Sequence, residues 1–275
     1  SNIMVHNPSP LITGQDTLWQ VPTSEIIELK PRRFPFALCI PVINEGTRIK
    51  KQLTEMREKG IFNEIDVLIL DGGSSDGSVT PDFLQAQGVR TLLIKTGPGK
   101  LSAQLRMGYA YALREGYEGV ITMDGNNKDG VEAVSNFIRD LEAGYDLIQG
   151  SRYLPGGRAE NTPWMRHLGV KWIHVPLTNW ATGFHYTDTT NGFRGYSRRF
   201  LLHPEVRPFR DLFVTYELIA YLSYKAPRIG FRVKEIPVTR RYPARGEVPT
   251  KISPFRGNWQ LLTILLKVLA GRLDP

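Results

Sequence analysis

Cysteine is nearly absent from this sequence: Cys39 is the only one in 275 residues. A single thiol excludes a disulfide within the chain and any cysteine-based zinc site, and its setting in Phe36-Ala37-Leu38-Cys39-Ile40 reads as a buried structural thiol. No apolar run is long enough to span a bilayer, and no signal peptide is recognisable. The chain opens on Ser1-Asn2 without an initiator Met, which reads as a cleavage scar. Internal repeats and low-complexity tracts are missing. His167, His174 and His185 have a spacing that fits no zinc motif and are expected to pack or to face solvent. Acidic charge is in the minority, giving a formal net charge of +8, so anionic partners are favoured: nucleotides, phosphates, nucleic acid or acidic lipid. No nucleic-acid recognition motif is present, and the basic residues form no stripe interleaved with aromatics.

What is present is an ordinary globular balance, 41% hydrophobic and 23% charged, in a chain long enough for one large α/β domain. Residues 1–34 are proline-rich, end in Lys30-Pro31-Arg32-Arg33, and read as an N-terminal extension. Five apolar strand-like runs follow at Phe36–Pro41, Glu64–Leu70, Val89–Ile94, Gly119–Thr122 and Asp146–Gly150. Helical patterns lie between them at Thr47–Lys59, Leu101–Glu115 and Val131–Ala143. This alternation predicts a mostly parallel sheet covered by helices on both faces. Beyond Ser151 the pattern loosens, with helices expected near Trp164–Thr182 and Phe213–Tyr224, a short strand after the turn at Asp188–Gly192, and a late strand over Phe231–Val238. Arg240–Ser253 reads as a basic loop, and Trp259–Leu273 as an apolar final helix.

Three polar loops fall at the ends of three strands: Asn44-Glu45, Asp71 to Asp76, and Asp124 to Asp129. In a parallel sheet these ends share one edge, where open α/β folds bind ligands. A plainer reading makes each a strand followed by an Asx-type turn. Three acidic loops converging in a basic protein suit a diphosphate ligand bridged by a divalent ion or by lysine. Gly97-Pro98-Gly99-Lys100-Leu101-Ser102 is no Walker A loop, because Leu101 stands where Ser or Thr is required.

Taken in order, Pro41-Val42-Ile43-Asn44-Glu45, Asp71-Gly72-Gly73-Ser74-Ser75-Asp76-Gly77-Ser78, Gly99-Lys100, Met123-Asp124-Gly125-Asn126, Gly150-Ser151-Arg152-Tyr153 and Asp188-Thr189-Thr190-Asn191-Gly192-Phe193-Arg194 resemble a family 2 glycosyltransferase of the GT-A fold. Within that family they are most similar to the dolichol-phosphate mannosyltransferase and polyprenyl-phosphate glycosyltransferase branch. The resemblance covers residues 35–252 as the catalytic domain and leaves 253–275 as a C-terminal apolar helix. It implies that Pro41, Asn44, Glu45, Asp71 and Gly73 line the base and ribose pocket, with Glu45 or Asp71 accepting from a uracil or guanine N–H. Lys100 and Arg106 would approach the diphosphate. Asp124, Gly125, Asn126 and Lys128 would complete the nucleotide-sugar site. Mg²⁺ or Mn²⁺ is implied at Asp124 and Asn126, yet the second acid of the Asp-x-Asp motif is replaced by Asn126, and Lys128 adds a cation two residues on. Hard divalent ions prefer anionic oxygen, so either the ion binds loosely through Asp124 and the diphosphate or Lys128 partly replaces it.

The same resemblance gives Arg152 and Arg166 to an acceptor phosphate, makes Asp188 part of the acceptor-side catalytic loop, and has Arg194, Arg240, Arg241, Arg245 and Lys251 closing over the diphosphate. The implied reaction is inverting transfer of a sugar from a UDP- or GDP-sugar to a polyprenyl- or dolichyl-phosphate acceptor. Relatives that glycosylate hydroxyls use a base from a Glu-Asp pair; no such pair exists here, and Glu217 in Thr215-Tyr216-Glu217-Leu218 is the nearest catalytic candidate. Transfer to a saccharide or protein hydroxyl, or mere sugar-nucleotide binding, stands as the alternative. The expected location is cytoplasmic, with the tail helix lying on the cytoplasmic face of a membrane or serving as a core or homo-oligomer interface.

Overall fold

The computed structural model describes residues 4–5, 11, 14–243 and 254–275, with side chains of the last helix described from Trp259 onward. The chain joins its sheet through two strands at one edge, Met4–Val5 (β1) and Ser24–Glu28 (β2), paired antiparallel to each other. The apolar runs then give Phe36–Val42 (β3), Asp66–Asp71 (β4), Thr91–Lys95 (β5), Gly119–Thr122 (β6) and Leu147–Ser151 (β7). β3, β4, β6 and β7 are buried at every position, as expected of strands covered on both faces. Shorter strands follow at Arg158–Glu160 (β8), Arg194–Ser197 (β9), Val233–Pro237 (β10) and Thr239–Arg241 (β11).

The nine-stranded order is β1-β2-β5-β4-β3-β6-β9-β7-β10. Its centre, β5-β4-β3-β6, is parallel, with Ile40 opposite Ile69 and Cys39 opposite Thr122. β9 is inserted antiparallel between β6 and β7, and β10 runs parallel to β7. β8 and β11 form a separate two-stranded ribbon.

Strand alternation divides the core into two layers. Leu38, Ile40 and Val42 face Ile49, Leu53 and Met56 of Thr47–Glu58 (α1), Leu84 of Pro81–Gln87 (α2), and residues from the later helix Val134–Glu142. Ala37 and Cys39 face the other layer, built on Leu101–Arg114 (α3) and completed by helices from the C-terminal third. With Val134–Glu142 as α4, the remaining helices are Trp164–Gly169 (α5), Val175–Thr182 (α6), Arg198–Leu201 (α7), Glu217–Arg228 (α8) and Pro254–Leu269 (α9). A π-helical turn, Val170–His174, joins α5 to α6. Burial raises the pKa of the Cys39 thiol far above its usual range, in keeping with a structural role.

Three local readings are corrected. Ser24–Glu28 is a sheet strand inside the stretch read as an extension, and the helix expected from Phe213 begins at Glu217. The basic segment after Val238 starts as β11 rather than as loop.

Candidate active site

The carboxyl edge of β3, β4 and β6 is knitted together by side-chain to backbone bonds. Asn44, held at φ +50, accepts from Ser75 N at 2.8 Å, and its own N–H donates to Ser74 Oγ at 2.9 Å. Asp71 Oδ1 accepts from Gly73 N, Ser74 N and Ser74 Oγ. Asp76 accepts from Gly46 N at 3.1 Å. The loops after β3 and β4 are therefore one rigid rim, built by the Asx chemistry that the sequence suggested. Glu45 pairs with Arg48 at 2.9 Å, and the Lys100 side chain is exposed at the start of α3. Pro41 sits where β6 no longer pairs, since that ladder ends at Cys39, so its missing N–H breaks no bond.

Two glycines shape the rim. A Cβ on Gly72 would lie 2.9 Å from Gln104 Nε2, which bridges the carbonyls of Val42 and Leu70 at 3.0 Å each. Gln104 fills the volume that a side chain at position 72 would need. A Cβ on Gly125 would collide with Val42 Cγ1 and lie 3.1 Å from Pro41 O, so the 124–127 turn can lie against β3 only with glycine there. Gln52 on α1, wholly buried, fixes the same turn: its Nε2 donates to Asp124 O at 2.8 Å and its Oε1 accepts from Asn127 N at 2.9 Å.

Around Asp124 the structure gathers four charges. Arg240 on β11 reaches Asp124 Oδ2 through Nη2 at 3.2 Å and Asp129 Oδ1 through Nη1 at 3.1 Å. Burial disfavours the charge on Arg240, but Asp129 and Asp124 outweigh it and hold the pKa above the usual arginine value. Burial raises the Asp129 pKa despite Arg240. Lys128 is buried with Nζ 4.4 Å from the centre of the Tyr242 ring, and its pKa is lowered by burial and then by Arg240. Asn126 Oδ1 and Asp129 Oδ2 are buried without hydrogen-bond partners among the described residues.

At the Asp188 loop, Arg152 and Asp188 form a buried fork, Nε to Oδ2 at 2.8 Å and Nη2 to Oδ1 at 3.1 Å. Burial opposes the Arg152 charge, and Asp188 more than offsets it. Arg152 Nη2 also lies 3.4 Å from Thr190 Oγ1. Glu235 on β10 holds the loop from behind, accepting from Thr187 N, Thr187 Oγ1 and Asp188 N. Burial raises the Glu235 pKa. Gly192 abuts the Asp124 carboxylate, so the Asp188–Arg194 loop and the Asp124 turn meet. Arg166 on α5 has no ion pair among the described residues, and its charge is felt at Tyr153, His174 and Tyr216. Beside it lies an apolar cavity of about 290 Å³, lined by Met165, Val170 and Ile173, by Trp259, Leu261 and Leu262 of α9, and by His174 and Thr190 at its polar end.

Several assigned residues do other work. Arg194 is fully buried and donates to the carbonyls of Asn191, Ile219 and Thr189 at 2.8–2.9 Å. It props the Asp188–Arg194 loop against α8, and its donors are spent on backbone carbonyls rather than turned toward a diphosphate. Arg106 likewise donates to Phe213 O at 3.1 Å and to Gln20 O. The Arg241 side chain pairs with Glu160 at the surface, at 2.7 Å. Glu217 caps its own turn, accepting from Val214 N, Thr215 N and Thr215 Oγ1. Arg245 and Lys251 lie outside the described residues. Sequence reasoning missed Gln52 and Glu235, and missed Arg240 as the counterion of Asp124 and Asp129. Only the acidic character of the 124–129 turn signalled the last of these.

Comparison with known proteins places this architecture. The chain is 29% identical over 205 residues to the polyprenol monophosphomannose synthase of Mycolicibacterium smegmatis, covering 74% of this chain and 76% of that protein. It is 26% identical over 204 residues to the undecaprenyl-phosphate mannosyltransferase of Micrococcus luteus, covering 73% and 81%. Among solved structures, glucosyl-3-phosphoglycerate synthase from Mycobacterium tuberculosis, in complex with Mn²⁺, UDP and phosphoglyceric acid, superposes with a TM-score of 0.55 at 14% identity over 96% of this chain and 84% of that one. That likeness identifies the GT-A fold.

The resemblance read from the sequence implies a divalent ion at Asp124 and Asn126. The residues present do not fit one as they stand. Asp124 and Asp129 are already bridged by Arg240, Lys128 brings a second positive charge, and Asn126 offers only a neutral oxygen. No group of three or more His, Cys, Asp or Glu able to hold a metal occurs among the described residues, whereas hard cations favour anionic oxygen. The sequence model of Glycosyl transferase family 2 matches residues 37–203, more than half of the chain, and with the rim, the Asp124 turn and the Asp188–Arg194 loop in place, the chain belongs to that family and is a glycosyltransferase.

Proposed function

We propose that this enzyme transfers a hexosyl group from a nucleoside-diphosphate sugar to a polyprenyl-phosphate acceptor, with inversion at the anomeric carbon. The observation that carries the reading is the apolar cavity between α5, the π-helical turn and α9, whose polar end is Thr190, a neighbour of Arg152. An isoprenoid chain in that cavity and a phosphate at its polar end match the two halves of such a lipid. The relatives named for polyprenol and undecaprenyl phosphate support the same acceptor class. Donor sugars bearing UDP or GDP suit the rim around Asn44 and Asp71.

Mechanistically, a phosphate oxygen of the acceptor attacks the anomeric carbon as the bond to the diphosphate oxygen breaks. The nucleoside diphosphate leaves with the bonding electrons, and no proton has to move. That accords with Glu217 being engaged in capping its own turn: an anionic nucleophile needs no strong base. Arg166, without an ion pair among the described residues, is the guanidinium available to the acceptor phosphate, while Arg152 and Asp188 hold the loop that presents it. Positive groups at the Asp124 edge stabilise the charge on the leaving diphosphate.

The acceptor would be met at a membrane surface. Trp164, Trp172 and Trp259 are 71%, 66% and 67% exposed around the cavity, with Lys171 and Lys267 on the same elements. Exposed tryptophans beside lysines suit a headgroup layer, and no described helix is long and apolar enough to cross a membrane. The test offers radiolabelled UDP- and GDP-hexoses with undecaprenyl phosphate in vesicles, or with soluble saccharides. Label appearing in the lipid fraction supports the proposal; label appearing only in saccharide overturns the acceptor assignment.

A further inference from the structure

We propose that Arg240 is the built-in cation of the nucleotide site, occupying the place between Asp124 and Asp129 and binding the diphosphate together with Lys128 without a divalent metal. The inference rests on the nucleotide-sugar reading of the Asp124 edge.

Arg240 is not a tail-loop side chain that happens to fall near an acid. Its backbone is held from two sides: it pairs with Ala159 in the β8–β11 ribbon and forms an isolated bridge with Asp129. The flanking bonds, Gly130 N to Thr239 O at 3.0 Å and Arg241 N to Lys128 O at 2.8 Å, close that bridge on both sides. The guanidinium is thus delivered to Asp124 by a framework of main-chain bonds. A cation placed in advance stabilises developing charge without reorganisation.

The charges of the site agree. Asp124 and Asp129 are balanced by Arg240 and Lys128, and neither Lys128 nor Arg166 has a carboxylate within ion-pair distance among the described residues. A divalent cation needs an excess of negative ligands, which this set lacks. A diphosphate needs donors, and an arginine bonded through one N–H of each Nη still has others to give. The replacement of the second motif acid by Asn126 belongs to the same arrangement: another carboxylate would shift the balance back toward metal.

The test measures UDP and GDP binding to the full chain by calorimetry in EDTA and in Mn²⁺, and Mn²⁺ binding alone by electron paramagnetic resonance. The proposal expects the dissociation constant of the preferred nucleotide to change by less than about threefold between EDTA and Mn²⁺, with no stoichiometric Mn²⁺ bound by the nucleotide-free wild type. Arg240→Ala should weaken nucleotide binding in EDTA roughly tenfold or more, the loss of a charge-assisted contact. It should also gain Mn²⁺ binding, because Asp124 and Asp129 are then released. Arg240→Lys, which keeps a cation on the same backbone, should retain binding in EDTA if the alanine variant does not fold. Wild-type nucleotide binding that requires Mn²⁺ overturns the proposal and leaves the nucleotide site standing. Binding of neither nucleotide under any condition overturns the nucleotide reading and this inference with it.

Discussion

Arg152 and Asp188, separated by 36 residues in sequence, meet as a fork of two bonds in which both side chains are almost wholly shielded from solvent. Asp188 in turn receives its orientation from Glu235, which takes the Asp188 N–H at 3.1 Å. Removing one member leaves a buried charge alone. Asp188→Asn should therefore lower stability by about 3–5 kcal/mol, read as a shift in the urea midpoint. Replacing both, Arg152→Met with Asp188→Leu, should recover most of that stability while turnover stays lost. Recovery of turnover by the double variant would show that the pair serves folding alone.

Gly125→Ala tests the contact of the Asp124 turn with β3. The added Cβ would enter the space of Val42 Cγ1 and press on Pro41 O. Overpacking of this kind costs about 1–3 kcal/mol, and because the displaced turn carries Asp124, donor binding should weaken as well. A variant with wild-type melting temperature and donor affinity would contradict the geometry.

Gln52 gives a finer test of the same turn. Gln52→Leu leaves Asp124 O and Asn127 N without their partners, an expected loss of about 1–3 kcal/mol. Its kinetic signature should be a raised KM for the donor with little change in acceptor KM. Gln52→Glu, which buries a carboxylate against Asp124 O at a wholly shielded position, should cost at least as much as Gln52→Leu.

His174 gives the protein a pH dependence. Burial, with Arg194 and Arg166 contributing, lowers its pKa to about 4 from an ordinary 6.5, and its Nδ1 lies 2.6 Å from Thr189 Oγ1. Between those values the unfolded chain binds a proton that the folded one refuses. Stability is then full above pH 6.5 and declines as pH falls toward 4, by roughly 3 kcal/mol at most. Urea midpoints at pH 7, 5.5 and 4.5 should show the decline in wild type and a shallower one in His174→Gln.

Much of this was legible in the sequence because burial on both faces leaves an unbroken apolar run. Phe36–Val42 and Gly119–Thr122 could hardly be read otherwise. Ser24–Glu28 escaped because it lies second from the edge of the sheet and buries only Ile26 and Ile27, with polar Ser24, Glu25 and Glu28 around them, too short a pattern to read as a strand. The rim of Asn44, Asp71 and Ser74 was legible as chemistry, since turn-forming side chains act over two or three residues or between neighbouring loops. Charge pairing was not. Asp129 and Arg240 are 111 residues apart, and nothing in Thr239-Arg240-Arg241 says which arginine turns inward to the acids and which faces Glu160. Arg194 was misplaced for a related reason: its motif sets it beside the acceptor loop, while only the packing of α8 shows that its donors point into backbone carbonyls.

The burial of Cys39 has a practical consequence. With the only thiol sealed between β4 and β6 at the middle of the sheet, the folded protein offers thiol reagents nothing to attack. A cysteine introduced at Trp164 or Trp172 would be the one reactive group on the molecule. A spin label or fluorophore there would report, without background and without first engineering the core, how deeply each tryptophan position enters a lipid surface.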